Sequence, residues 1–62
     1  MAEAVYHGQD KEAAIARAKE IDGYVIESKP PAGTVAEEQR GYWSDDSGFV
    51  RNWERQVWPE EK

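Results

Sequence analysis

His7 is the only histidine in this 62-residue chain. A general base or a metal ligand needs partners at set spacings, and no H-x-x-x-H, HExxH or second soft ligand accompanies it. The residue reads as a strand-end or surface histidine. Ser28, Ser44 and Ser47 lack the G-x-S-x-G setting of a serine nucleophile, and their natural roles are strand and turn hydrogen bonds. Carboxylates occur in adjacent pairs, Glu37–Glu38 and Asp45–Asp46, with Glu54 further along. Glycoside chemistry requires one such group to be desolvated in a cleft, and a chain this short builds that depth with difficulty. They read as solvated loop and turn groups. A calcium loop begun at Asp45 fails at position 5 (Phe49), position 6 (Val50) and position 12 (Gln56). The five glycines are isolated, so no phosphate-cradling pattern exists. Nothing here points to a cofactor, a metal or a reaction, and the expectation is a non-enzymatic protein.

One constellation remains. Tyr42, Trp43, Phe49, Arg51, Trp53, Arg55 and Trp58 interleave aromatic rings with guanidinium groups, bordered by Asp45, Asp46 and Glu54. Trp, Tyr and Arg are the residues that most often anchor protein interfaces, because each combines a large contact area with a polar handle. The same rings are also needed to build a core, since leucine is absent and Ile, Val and Phe together number nine. Phe49 and Trp53 are expected in that core. Tyr42, Trp43, Asp45, Asp46, Arg51, Glu54 and Trp58 are the expected partner-binding residues.

Positioning these residues requires a fold, and the patterning indicates one. Ala4 to His7 reads as a short strand ended by Gly8. Asp10 to Asp22 is rich in helix formers, with Ala14, Ala18 and Ile21 on one stripe and Ile15 beside it. Asp10 suits the N-cap and Gly23 the left-handed position beyond the C-terminus. Two alanines in the stripe bring the helix close to whatever it covers. After Gly23 the period becomes 2, with Tyr24, Ile26 and Ser28 on one side and Val25 and Glu27 on the other. The run KPPAG ends that strand, and a loop follows through Gln39. Gly41 to Ser44, a turn at Asp45–Gly48 and a strand from Phe49 onward read as a hairpin, against a competing helix over Ser47–Trp58 ended by Pro59. The order is β-α-β-β-β: an α+β domain spanning 1–62, with one helix on a small, mostly antiparallel sheet and fraying from about residue 59.

Thirteen acidic residues against eight basic ones give a net charge of −5, spread over both halves of the chain. That balance disfavours double-stranded nucleic acid and favours a protein partner with a basic surface. Cysteine is absent and apolar runs are short, so the reading is a cytoplasmic protein without disulfide, signal segment or membrane span. In size, acidity and absence of motifs the chain resembles the small accessory proteins that phages and mobile elements direct against host defences, anti-CRISPR proteins among them. The resemblance implies an inhibitor whose carboxylates stand in for phosphates on a nucleic-acid-binding protein. Two other classes are carried beside it. One is a single-stranded nucleic-acid binder that stacks bases on Trp43, Trp53 or Tyr42, with Arg51 and Arg55 on phosphates. The other is a self-associating subunit, such as a homodimer paired through an exposed sheet edge.

Overall fold

In the computed structural model, residues 4–33 and 38–59 are described. The elements are β1 (Val5–Tyr6), α1 (Lys11–Ile21), β2 (Tyr24–Ser28), β3 (Gly41–Asp45) and β4 (Glu54–Trp58), in the expected β-α-β-β-β order. The strands form one sheet in the spatial order β1-β3-β2-β4, and every pairing is antiparallel. Among the described residues no helix is long and apolar enough to cross a membrane.

The helix starts where its sequence directs. Asp10 caps it, the carboxylate accepting from the Ala13 N–H at 3.0 Å, a contact worth about 1 kcal/mol. Its Ala14 and Ala18 are fully enclosed and meet Val25 of β2, with Ile15, Tyr42, Val57 and Trp58 packed around them. The C-terminus departs from expectation. Asp22, not Gly23, takes the left-handed conformation (φ 55°, ψ 41°). Gly23 serves a different need: a Cβ there would run into the Asp45 carbonyl of the neighbouring strand.

Register assigns the faces. Val25 lies opposite Ser44, and Glu27 opposite Tyr42 and Arg55, so these residues share the helix-covered face with Val5. Tyr24, Ile26 and Ser28 share the other face with Trp43 and Asp45. Between Val25 and Ile26 the pairing to β4 shifts, with Val25 opposite Trp58 and Ile26 opposite Gln56. The extra residue lets Val57 and Trp58, neighbours in sequence, both reach the helix-side cluster.

The expected hairpin does not form. Both edges of β3 are already occupied, by β1 and by β2, so β4 takes the far edge of β2 instead. Because β3 and β4 each run antiparallel to β2, they are parallel to one another, and the chain between them must travel the length of the sheet. Residues 49–53 are therefore neither strand nor helix but part of a crossing segment, 46–53. Its path over the face opposite the helix is marked by Tyr24, whose hydroxyl donates to the Phe49 carbonyl at 2.9 Å and accepts from the Gly48 N–H at 3.0 Å. Ile26 is buried on that face. The helix and the start of the crossing segment thus lie on opposite faces of β2. The expected loop over 34–39 falls partly, and the expected fraying mostly, outside the described residues.

Candidate functional site

The seven expected binding residues do not form one surface. Asp45 is a correction: it is 3% exposed, accepting at 2.9 Å from both the N–H and the hydroxyl of Ser47. Its carboxylate is enclosed and holds the turn. Glu54 is likewise turned inward, its side chain 6% exposed, accepting from the Arg51 N–H at 2.8 Å and from the Arg51 guanidinium at 3.3 Å. Tyr42 and Trp58 pack against the helix-side cluster. Trp43 lies on the opposite face, its ring 4.9 Å from that of Tyr6, with Nε1 donating to the Gln39 carbonyl at 3.0 Å. Asp46 is half-buried, and only Arg51 of the seven is well exposed.

The two rings expected inside are both exposed, as is Tyr6. Phe49 is 73% exposed and Trp53 37%, with Val50 exposed between them. One signal was present in the sequence: Phe49 and Val50 are adjacent, and neighbours in a strand cannot both face one core. The segment is nonetheless well anchored, by Tyr24 at its start, by Arg51–Glu54 near its end, and by the Lys29 N–H donating to the Trp53 carbonyl at 2.7 Å. It presents apolar side chains on a fixed backbone.

Beside Trp53 lies a shallow depression of about 320 Å³ lined by Glu27, Lys29, Asn52, Trp53, Glu54 and Arg55. Glu27 sits between two cations, its Oε1 3.7 Å from Lys29 Nζ and 3.6 Å from an Arg55 guanidinium nitrogen. Glu27, Lys29 and Asn52 were not among the residues expected at a site. They carry no motif, and only the β2–β4 pairing brings them together.

The fold also joins His7 and Ser44, whose Nε2 and Oγ are 2.9 Å apart. Such a pair is the first requirement of an activated hydroxyl. Ser44, however, has no solvent exposure and lies on the helix-covered face, so a substrate has no approach to it. The contact satisfies a buried hydroxyl. Among the described residues no group of His, Asp and Glu side chains is placed to hold a metal ion. No protein-family model, curated protein or solved structure matches the chain.

Proposed function

We propose that the chain is a non-enzymatic protein-interaction module whose contact surface is the crossing segment, centred on Phe49, in place of the turn carboxylates. One observation carries this reading: the only phenylalanine stands 73% exposed on an anchored backbone, in a domain whose core hydrophobics, among the described residues, are only Ala14, Ala18, Val25 and Ile26, with Pro30 also buried. Burying a side chain of this size is worth roughly 1.5–3 kcal/mol. A domain with so small an interior leaves that stabilisation for a partner to realise.

The net charge of −5 gives the partner its sign. Long-range attraction speeds encounter with a basic surface, while the short-range contact is made by Phe49, Val50 and the exposed Arg51. If the basic surface is a nucleic-acid-binding groove, occupying it makes the module an inhibitor. The enclosure of Ser44 supports the non-enzymatic part of the reading.

The test is retention of a protein from lysate on immobilised chain, across a salt series, for the natural chain and Phe49→Ser. A retained protein that is released by salt and lost with Phe49→Ser supports the proposal. Equal retention by Phe49→Ser removes the segment from the interface, and retention of no protein at any salt concentration removes the partner class.

A further inference from the structure

The depression beside Trp53 differs in character from the chain as a whole. Its charged groups are sorted by depth. Glu54 is 6% exposed and Glu27 is mostly covered, whereas Lys29 and Arg55 reach into solvent, Arg55 to 77%. Glu27 lies within 4 Å of both cations, Glu54 is engaged with Arg51, and Lys29 and Arg55 form the outer surface. The depression is also lined by Asn52 and by the partly exposed Trp53, whose backbone carbonyl accepts from the Lys29 N–H.

We infer that this depression binds single-stranded nucleic acid, one base stacked on Trp53 and the flanking phosphates on Lys29 and Arg55. A flat ring, an amide able to donate and accept, and two outward cations match the three parts of a nucleotide: base face, base edge and phosphate. Stacking on an aromatic side chain contributes about 1–3 kcal/mol per base and tolerates any sequence. A glutamate-rich peptide offers carboxylates to the cations but has no flat ring to stack on Trp53. The volume, about 320 Å³, admits one base and its immediate backbone, and the open shape excludes no neighbouring nucleotide.

The overall charge does not forbid this. At physiological ionic strength charges are screened over about 8 Å, and the domain measures 33 × 23 × 22 Å, so carboxylates on its far side contribute little here. The local competitor is Glu27, which holds both cations. A phosphate must displace it, and this gives the site a signature that misfolding cannot imitate: removing the Glu27 charge strengthens binding. The inference does not rest on the protein-partner reading, because Phe49 and Val50 do not line the depression.

The experiment is titration of the full chain with a ten-nucleotide oligothymidylate, followed by quenching of tryptophan fluorescence. Saturable quenching is expected, with log K falling against log salt at a slope of about −1.4, as two phosphate contacts require. Glu27→Gln should bind several-fold tighter, Trp53→Ala and Arg55→Glu at least ten-fold weaker, and Phe49→Ser as the natural chain does. The inference is overturned by absence of quenching at 100 µM strand, by Glu27→Gln binding no tighter, by Phe49→Ser losing as much as Trp53→Ala, or by a glutamate-rich decapeptide competing on equal terms.

Discussion

The Tyr24 hydroxyl and the Phe49 carbonyl, 25 residues apart in sequence, meet at 2.9 Å, and the same hydroxyl accepts from the Gly48 N–H at 3.0 Å. One oxygen on the first residue of β2 therefore satisfies a donor and an acceptor of the segment that crosses the sheet. Tyr24→Phe keeps the ring and deletes both bonds. It should cost about 1–2 kcal/mol, with the loss concentrated in faster amide exchange at Gly48 while exchange in α1 stays unchanged. Uniform acceleration through the domain would mean that the segment is not held at this point.

Ile26 and Phe49 offer a direct contrast: one is buried at the centre of the sheet and the other is 73% exposed on the crossing segment. Ile26→Ala leaves a void at the centre of the sheet and should cost 2–4 kcal/mol, a large share of what a domain of this size possesses. Phe49→Ser should shift stability by no more than about 0.5 kcal/mol. Urea unfolding of both variants checks the pair. A Phe49→Ser cost comparable to that of Ile26→Ala would place the ring in the core and end its candidacy as a contact residue.

How far the sequence was legible follows from which interactions are local. Asp10 as N-cap, the Ala14–Ala18 stripe and the alternation from Tyr24 to Ser28 depend on neighbours within a few residues, and all three appear in the structure as read. The turn chemistry of Asp45 to Gly48 was also legible, with Gly48 at φ 87° and Asp45 bonded to Ser47. What could not be read was the partner of β4. A turn followed by alternating residues specifies a hairpin only if the preceding strand keeps a free edge, and β3 has none because the two-residue β1 occupies it. That single long-range fact moved Phe49 and Trp53 from core to surface. The same fact placed Glu27 and Lys29 beside Arg55, a juxtaposition without any local signal.

The helix C-terminus yields a pair of opposite expectations. Asp22 bears the left-handed conformation, which costs a residue with a Cβ roughly 1–2 kcal/mol. Asp22→Gly should therefore be neutral to stabilising, by up to about 1 kcal/mol, after the entropy cost of glycine in the unfolded chain. Gly23→Ala should destabilise by about 1–3 kcal/mol, because its methyl meets the Asp45 carbonyl, backbone that cannot turn aside. Melting temperatures of the two variants give the signs. A stabilised Gly23→Ala would show that β3 is not packed against the helix end.

Asp45 is where the acidic-surface reading and the structure disagree most sharply. If its carboxylate faced a basic partner, Asp45→Lys would abolish binding and leave the fold intact. Enclosed as it is, with two hydrogen bonds from Ser47 and the Tyr24 hydroxyl 3.5 Å away, the same substitution puts an ammonium among donors and removes their acceptor. The expected cost is about 3 kcal/mol or more, enough to unfold much of the population at room temperature. Asp45→Asn retains one acceptor oxygen and should cost about 1–2 kcal/mol. Circular dichroism in a urea series separates the outcomes. A fully folded Asp45→Lys chain that has lost only its partner would return this carboxylate to the interface and reopen phosphate mimicry as the mode of recognition.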